Sequence, residues 1–384
     1  MDDKTRLRRA FAFFRPFFEP FLRLKFNYSY DEFPEIDGPF FLLANHNLEM
    51  DPILVSVGVK RPLRFVASEH IMRKGFGTWF LLRYFQPIIH QKGQVGISSV
   101  KNILRALRDG SSVCLFAEGE RSFNGVSGPI QPATGKLARS SGVPLVTYRI
   151  EGGYFSQPRW STTLRRGKLR GHLVHVYSPE ELRAMNEKEV NEAIVRDLYE
   201  DAYETQKREN VRFKGKKLAL GLESSVFMCP ECGKLAGLVS DASTLRCSCG
   251  WHADYDEFGM LNANDGKSYT VTELDRMQRK KMTAIMSAEG CTDELFRDEV
   301  TLYSIGSDHA VRSIEKGILR SFRDRIECCG RVFPFDSLSG MAIYSRNSLV
   351  IHLPEGERYE IKSGKTGFCG LKYIYQYRAL SSTL

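Results

Sequence analysis

The sequence contains no apolar stretch long enough to cross a membrane. No run of about 18 uncharged apolar residues occurs in its 384 residues, so we expect no spanning helix. A strict glycine period, a sustained heptad pattern and internal repeats are also missing, which excludes collagen-like, coiled-coil and repeat folds. The N-terminal residues lack the short apolar run and the small-residue cleavage site of a secretory signal. A cytoplasmic location is therefore expected.

Acidic residues are the minority among the charged ones. The chain has 46 aspartates and glutamates against 55 lysines and arginines, which gives a net charge of +9. Such an excess favours anionic partners, namely phosphorylated substrates, acidic carrier proteins, nucleic acid or an anionic membrane surface. Hydrophobic residues make up 42% and charged residues 26%, as in folded globular chains. The length predicts two or three domains.

The nine cysteines do not fit a complete disulfide framework, because their number is odd and four of them lie between Cys229 and Cys249. Such a cluster favours a metal site in a reducing compartment. The pairs Cys229-x2-Cys232 and Cys247-x-Cys249 suit a structural zinc ion, with His252 as a spare ligand and a redox dithiol as the alternative. The remaining cysteines are expected to be packing residues: Cys114, Cys291, Cys328, Cys329 and Cys369.

Residues 4–26 combine seven phenylalanines with seven basic residues. A helical wheel separates a charged face from an aromatic face, the first with Arg8, Arg15, Glu19 and Arg23 and the second with Phe11, Phe14, Phe18 and Phe21. Pro16 and Pro20 each remove a backbone hydrogen bond, so a kinked or two-piece helix is expected. Residues 1–30 are therefore predicted to be an amphipathic segment that associates with a membrane surface. Packing of this helix on the protein's own core is the alternative.

The rest of the chain is predicted to contain an α/β domain followed by smaller units. Residues 31–206 alternate short apolar runs with amphipathic segments, which indicates a layered α/β domain with a mixed sheet. The further prediction is a basic linker (207–220), a zinc-ribbon-like module (221–262), a helical connector (263–294) and an antiparallel β domain with a C-terminal helix (295–384). In outline the last of these resembles a pleckstrin-homology-like domain.

Two polar segments directly follow predicted strands. His46 and Asp51 can meet if His46 lies in the turn after the strand and Asp51 in the first helical turn. A histidine held by a carboxylate is a general base with a fixed tautomer. The alternative is that Asp51 caps a helix and His46 is an ordinary loop residue. In the second segment, Arg121 offers two parallel donors to a phosphate, and Gly119 allows its close approach. Open α/β sheets bind their ligands at such strand ends.

These segments resemble the sequence blocks of the glycerolipid acyltransferase family, which includes lysophosphatidic acid acyltransferases. The first block, Asn-His-x4-Asp, is matched by Asn45, His46 and Asp51. The third, Phe-Pro-Glu-Gly-Thr-Arg-Ser, is matched by Phe116, Glu118, Gly119, Arg121 and Ser122, and the fourth by Gly135, Val143 and Pro144. The resemblance covers about residues 1–205.

The chain departs from the family pattern at several positions. Ala117 replaces the usual proline, and Glu120 replaces the usual threonine. An acidic Glu120 beside a phosphate site would weaken the binding of a dianion unless it faces away. The arginine of the second block has no clear counterpart, which leaves Lys92 or Arg83 as candidates.

The resemblance implies an O-acyltransferase that moves a fatty acyl group from acyl-CoA or acyl carrier protein to 1-acyl-glycerol-3-phosphate, making phosphatidic acid. His46 would take the proton of the acceptor hydroxyl, and Asp51 would orient His46. The implied substrate-binding residues are Asn45, Arg83, Lys92, Glu118, Gly119, Arg121 and Ser122. The implied location is the cytoplasmic face of a membrane, as a peripheral or monotopic protein.

Several alternatives stay open at this point. The acceptor of the acyl group could instead be glycerol 3-phosphate, dihydroxyacetone phosphate or an amino-acid lipid. A protein of another class, a non-catalytic regulator that binds lipid or nucleic acid, would also suit the basic charge. No nucleic acid partner is expected, because the basic residues show no aromatic-interleaved recognition motif. A predicted basic patch could contact a carrier protein, CoA phosphates or anionic lipid, or be plain solvated surface; it consists of Arg159, Arg165, Arg166, Lys168 and Arg170.

Overall fold

The computed structural model describes residues 3–73, 75–90, 97–288, 294–364 and 367–380. The chain forms two compact units, one of Met1–Arg159 with Thr163–Gly215 and the other of Trp160–Thr162 with Lys216–Leu384. The division after Gly215 falls within the segment predicted to be a linker. Within the described ranges, no helix is both long and apolar enough to span a membrane.

The first unit is built around one seven-stranded sheet. Its strands in chain order are β1 (Tyr28–Tyr30), β2 (Phe41–Ala44), β3 (Arg64–Ser68), β4 (Ile88–His90), β5 (Val113–Phe116), β6 (Leu145–Glu151) and β7 (Leu169–Tyr177). Their spatial order is β1-β7-β6-β2-β5-β3-β4. Strands β2 to β6 pair with one another in parallel, whereas β7 is antiparallel to β6. The prediction of an α/β fold with a mixed sheet is therefore confirmed.

Helices connect and cover these strands. They are α1 (Asp3–Phe26), α2 (Asp51–Val59), α3 (Phe76–Tyr84), α4 (Ile97–Arg108), α5 (Ala133–Ser140), α6 (Gly153–Ser156), α7 (Pro179–Ala184), α8 (Glu187–Leu198) and α9 (Ala202–Glu209). A 3-10 turn at Glu69–Arg73 follows β3.

Strand β2 lies at the centre of the sheet and is buried on both faces, as its uninterrupted apolar sequence predicts. Its side chains alternate between two core clusters: Leu42 and Ala44 join one, and Phe41 and Leu43 join the other. Helices α1 and α2 contribute to the first cluster, and α4, α5 and α8 contribute to the second. This packing on both faces fixes the carboxyl end of β2, which leads directly to His46.

Helix α1 is one continuous helix, so the two-piece form of the predicted kinked or two-piece helix is wrong, and the kink stays a prediction. Pro16 and Pro20 lie on its exposed side, where water can bind the carbonyl groups that lack a helical donor. The predicted aromatic face also needs correction. Phe14 packs on Phe80 and Phe85, and Phe18 packs on the first core cluster.

A different stripe of α1 is exposed. Phe13 is 62%, Phe17 66%, Phe21 43% and Leu24 73% exposed, and their spacing of three or four residues places them on one side of the helix. The helix therefore packs on the protein's own core with one apolar stripe and presents a second one to solvent.

The second unit contains two antiparallel sheets. The smaller consists of β8 (Leu238–Ser240), β9 (Thr244–Cys247), β10 (His252–Tyr255), β11 (Leu261–Ala263) and β12 (Ser268–Tyr269), in the order β12-β11-β10-β9-β8. Helix α10 (Val271–Ser287) follows and begins with a capping box formed by Thr270 and Glu273.

The larger sheet has the order β16-β15-β14-β13-β19-β18-β17. Its strands are β13 (Phe296–Ile305), β14 (Val311–Ser321), β15 (Arg325–Cys328), β16 (Arg331–Pro334), β17 (Gly340–Ser345), β18 (Ser348–His352) and β19 (Arg358–Lys362). Helix α11 (Gly370–Leu380) closes the described chain. The antiparallel architecture agrees with the prediction, and the likeness to a pleckstrin-homology-like domain stays a prediction.

Candidate active site

His46 and Asp51 meet at the carboxyl end of β2, because His46 lies in the turn after the strand and Asp51 in the first turn of α2. The His46 Nδ1 atom lies 2.8 Å from Asp51 Oδ2. Asp51 is the first residue of α2 and fully buried, and its Oδ2 also accepts hydrogen bonds from the backbone N–H groups of Asn47 (2.7 Å) and Leu48 (3.0 Å). Because a carboxylate can only accept, Nδ1 carries the proton of the neutral ring. The Nε2 atom of His46 is therefore the basic nitrogen.

The His46 ring stacks on the ring of Phe116, with centroids 4.4 Å apart and an interplanar angle of 20°. Burial lowers the pKa of His46 below its usual value, and the positive charges of Arg121 and Arg159 add to this effect, whereas Asp51 opposes it. A histidine with a lowered pKa is unprotonated at neutral pH and can act as a base.

Glu118 ties the two predicted segments together. Its Oε1 accepts a hydrogen bond from the backbone N–H of His46 (2.9 Å), and its Oε2 accepts one from Gly128 (2.5 Å). The backbone N–H of Ser122 donates to the carbonyl of His46 (3.1 Å). Burial raises the pKa of Glu118 to about 8. The structure therefore places Glu118 as a support of the His46 turn, and its predicted contact with substrate stays a prediction.

Asn45 and Ser122 have structural partners within the site. Asn45 exchanges hydrogen bonds with both backbone groups of Ile150, at 2.9 and 2.7 Å. The hydroxyl of Ser122 donates to the Val126 carbonyl (2.8 Å) and accepts from the Gly125 N–H (2.9 Å). Their assignment to substrate binding stays a prediction.

The segment around Arg121 carries an organised set of charges. Gly119 has a φ of +68°, the left-handed conformation that glycine adopts without strain. Arg121 lies 3.2 Å from the exposed Glu49. Glu120 lies 3.5 Å from Arg159, which is buried against the ring of Phe123. The charge of Glu120 is therefore balanced by Arg159, so that it opposes a bound phosphate less than its sequence position suggests.

The predicted basic patch does not form a continuous exposed surface. Arg159 and Arg165 are buried, with 4% and 1% of their surface exposed. Lys168 pairs with Glu209 at 2.6 Å, and Arg170 pairs with Asp31 at 3.3 Å. The prediction is wrong because the chain turns Arg165 inward, and Arg159 is held at the candidate active site.

Arg83 and Lys92 are the two candidates for the arginine of the second sequence block. Arg83 is exposed in the last turn of α3, and within the described residues it makes no hydrogen bond to His46, Glu118 or Arg121. Lys92 lies outside the described residues, and so does Cys291. Both substrate-binding assignments stay predictions.

Sequence reasoning misses two residues of this site, Glu200 and Arg159. Glu200 lies between α8 and α9 and accepts hydrogen bonds from the side chains of Asn45 and Asn47. Its sequence context is a run of charged residues typical of a solvated helix, so no motif marks it. Arg159 is predicted to lie on a different surface, because the chain reversal that buries it is not visible in its neighbours.

A second cluster lies in the other unit. The sulfur atoms of Cys229 and Cys249 are 3.8 Å apart, and those of Cys232 and Cys247 are 3.7 Å apart. All four lie within 4.8 Å of one another and could hold a metal ion. The exposed His252 ring instead contacts the carbonyl of Gly250 at 3.2 Å, outside this cluster, so its prediction as a spare ligand is wrong.

The remaining described cysteines are mostly interior, as predicted. Cys114, Cys328 and Cys369 are buried, and Cys329 is half-buried.

Comparisons with known proteins give one family match. No curated protein sequence matches the chain. A crystal structure of the 1-acyl-sn-glycerophosphate (LPA) acyltransferase from Thermotoga maritima is similar, with 21% identity, a TM-score of 0.43, and coverage of 52% of this chain and 82% of that one. Residues 25–151 match the family model described as Acyltransferase. The part of the chain that contains His46, Asp51 and Arg121 is therefore similar to acyltransferases.

Proposed function

We propose that this protein is an O-acyltransferase that acylates a lysophospholipid, 1-acyl-glycerol-3-phosphate, to make phosphatidic acid. The observation that carries the proposal is the His46–Asp51 hydrogen bond of 2.8 Å at the carboxyl end of β2. It lies within the residues that match the acyltransferase family. The acyl donor is a thioester, either acyl-CoA or an acyl carrier protein.

The reaction follows from the orientation of the histidine. His46 Nε2 takes the proton of the acceptor hydroxyl as the hydroxyl oxygen attacks the thioester carbonyl. The tetrahedral intermediate then expels the thiolate, which takes the proton back from His46. Asp51 holds the imidazole through Nδ1 and stabilises the imidazolium formed between the two steps.

A phosphate on the acceptor is supported by the surroundings of the base. Arg121 is near enough to His46 for its charge to lower the pKa of the imidazole. A phosphate held by the planar guanidinium would therefore lie close to the catalytic nitrogen. The phosphate binds by displacing Arg121 from its exposed partner Glu49. Glycerol 3-phosphate, dihydroxyacetone phosphate and an amino-acid lipid are the alternative acceptors.

The decisive experiment supplies labelled acyl-CoA and acyl carrier protein to the purified chain with a panel of these acceptors, read by lipid mass spectrometry. His46→Ala should give no product, whereas the matched control His175→Ala, at an exposed position of β7, should behave as wild type. Lipid binding without turnover of any donor and acceptor pair would favour the alternative, a non-catalytic lipid-binding regulator.

A membrane surface is the proposed partner of helix α1. Its exposed stripe lies beside α3, because Phe14 joins the two helices through Phe80 and Phe85. Helix α3 adds Phe76 and Trp79, which are 77% and 53% exposed. Basic residues flank these apolar side chains and favour anionic head groups: Arg9, Arg23 and Lys25. The proposed location is the cytoplasmic face of the membrane.

Zinc is the proposed occupant of the cysteine cluster. A tetrahedral zinc ion with bonds of about 2.3 Å to sulfur requires sulfur atoms about 3.8 Å apart, whereas a disulfide bond is about 2.0 Å long. The separations of 3.8 and 3.7 Å fit the first value. Gly233 and Gly250 follow the two pairs with φ of +68° and +100°, as tight turns around a metal require. Four thiolates leave no open position, so the role is structural.

A further inference from the structure

The turn that carries His46 is held by a buried carboxyl group from a distant part of the chain. Glu200 lies between α8 and α9, has 4% of its surface exposed, and lies outside the residues that match the acyltransferase family. Its Oε2 accepts a hydrogen bond from the Asn45 side chain (3.1 Å) and another from the Asn47 side chain. These two asparagines are the immediate neighbours of His46 on either side.

The same two side chains share a second acceptor. Asn45 Nδ2 donates to the Ile150 carbonyl at 2.9 Å, and Asn47 Nδ2 donates to the same carbonyl at 3.2 Å. Each amide group therefore lies between the Glu200 carboxyl group and the end of β6. Asn47 is further confined by Gly153, where a Cβ atom would come within 2.8 Å of the Asn47 Cβ. This geometry leaves the asparagines little room to turn.

The backbone of Glu200 is itself anchored to the segment that supports His46. The Glu200 N–H donates to the Ser127 hydroxyl (2.9 Å), and the Ser127 N–H donates to the Glu200 carbonyl (2.9 Å). The next residue, Gly128, donates to Glu118. The half-buried carboxyl group of Glu118 and the buried carboxyl group of Glu200 therefore both act on the His46 turn. Glu118 acts through the backbone N–H of His46, and Glu200 acts through the side chains on either side.

We propose that Glu200 is a positioning residue, which orients the Asn45–His46–Asn47 turn so that the imidazole keeps its hydrogen bond to Asp51. This proposal rests on the proposed acyltransferase function for its kinetic readouts. Asn47 transmits the effect, because its backbone N–H bonds to the same Asp51 oxygen that holds His46. A shift of Asn47 changes the position of Asp51 and His46 together.

Two substitutions of Glu200 distinguish the loss of a hydrogen-bond acceptor from a loss of folding. Glu200→Leu replaces the carboxyl group by an apolar side chain of comparable length and leaves the Ile150 carbonyl as the remaining acceptor for both asparagines. It should lower kcat about 100-fold while the KM of each substrate changes less than about threefold. Glu200→Gln keeps an acceptor oxygen and should recover activity to within about fivefold of wild type. The matched control Glu204→Ala changes an exposed residue of α9 that pairs with Lys207, and should leave activity unchanged.

A double-mutant cycle tests the route of the effect. If Glu200 acts through Asn47, then Glu200→Leu should lower kcat by no more than about threefold in an Asn47→Ala background. A full loss of about 100-fold in that background would overturn the route. Equal losses for Glu200→Gln and Glu200→Leu, together with equal falls in melting temperature, would show a purely structural role and overturn the proposal.

A spectroscopic measurement tests the positioning role of Glu200 independently of the proposed acyltransferase activity. In ¹⁵N-histidine-labelled protein, the His46 Nδ1–H bonded to Asp51 should give a low-field proton signal that His46→Ala removes. Glu200→Leu should broaden or shift this signal, and Glu204→Ala should not. A chain that shows this pattern but acylates no acceptor would contradict the proposed function alone, whereas an unchanged signal in Glu200→Leu would overturn the positioning role.

Discussion

Replacing Asp51 by asparagine tests the catalytic pair most directly. The substitution keeps an oxygen that can accept from His46, Asn47 and Leu48, and it removes the negative charge. The second carboxylate oxygen, Oδ1, is buried and has no hydrogen-bond partner among the described residues. An amide group in its place leaves a buried donor unsatisfied, which should lower the free energy of unfolding by about 1–3 kcal/mol.

The effect on catalysis comes mainly from the lost charge. When His46 takes up a proton, Asp51 attracts the imidazolium. For unit charges about 4 Å apart at an effective dielectric constant near 20, this attraction is about 4 kcal/mol. Each 1.4 kcal/mol or so corresponds to a tenfold change in rate, so kcat should fall about 1,000-fold in Asp51→Asn. His46→Ala should lose still more, because it removes the base.

The pH dependence of kcat/KM gives a second, independent test of the charge of Asp51. Asp51 raises the pKa of His46, against burial and the charges of Arg121 and Arg159, which lower it. Without the charge of Asp51 the pKa of His46 falls further, so the acid limb of the kcat/KM profile should move to lower pH in Asp51→Asn. The position of this acid limb reflects the protonation of His46 in the free enzyme, and it does not depend on the maximal value of kcat/KM.

Steady-state kinetics across the acid and neutral pH range, with thiol release as the signal, measures both quantities. The control is Asp109→Asn, an exposed position in the turn after α4, which should keep the wild-type plateau and limb. A kcat within about threefold of wild type, or an acid limb that moves to higher pH, would refute the role of Asp51 as the partner that stabilises the imidazolium.

Four further outcomes are expected. Arg121→Ala should raise the KM of the phosphorylated acceptor more than that of the thioester, and should move the acid limb to higher pH because its charge lowers the pKa of His46. One zinc ion per chain should be found by elemental analysis, and Cys229→Ser should release it and lower the melting temperature of its unit. Phe13→Ser combined with Phe17→Ser should weaken sedimentation with anionic vesicles about tenfold or more at physiological salt, because insertion of these side chains is lost. Burial raises the pKa of Glu118 from 4.5 to about 8, so its contribution to the free energy of unfolding is present below pH 4.5 and is lost as the pH rises through 8. The free energy of unfolding measured with urea should therefore fall less over this pH range in Glu118→Gln than in wild type.

The controls for these outcomes differ. A change confined to the thioester KM in Arg121→Ala would assign this arginine to the other substrate. Val239→Ser removes a side chain that is 67% exposed in the other unit and should leave vesicle binding unchanged. If the protein is free of metal and the four cysteines of the cluster are free thiols or form two disulfide bonds, the redox alternative is favoured. If the free energy of unfolding falls equally with pH in Glu118→Gln and in wild type, the raised pKa of Glu118 is contradicted.

The local sequence was sufficient for those features in which neighbouring residues carry the physical cause. The fully apolar run of β2 predicts a strand buried on both faces, and the five-residue spacing of His46 and Asp51 allows their contact across a strand-to-helix turn. Capping of α10 by Thr270 and Glu273 is equally local. In each case the partners are joined by a few residues of chain, so their encounter depends little on the rest of the fold.

Only the tertiary structure decided the features that join distant residues. A helical wheel of α1 separates aromatic from charged residues, but it cannot tell which aromatic side chains meet Phe80 and Phe85 and which remain exposed. Arg159 looks like a surface residue in sequence, and it is buried beside Glu120 because the chain turns back on the carboxyl edge of the sheet. Glu200 reaches Asn47 only because β6 and the segment at Ser127 bring them together. Such contacts depend on packing between elements far apart in the chain, and no periodicity or spacing encodes them.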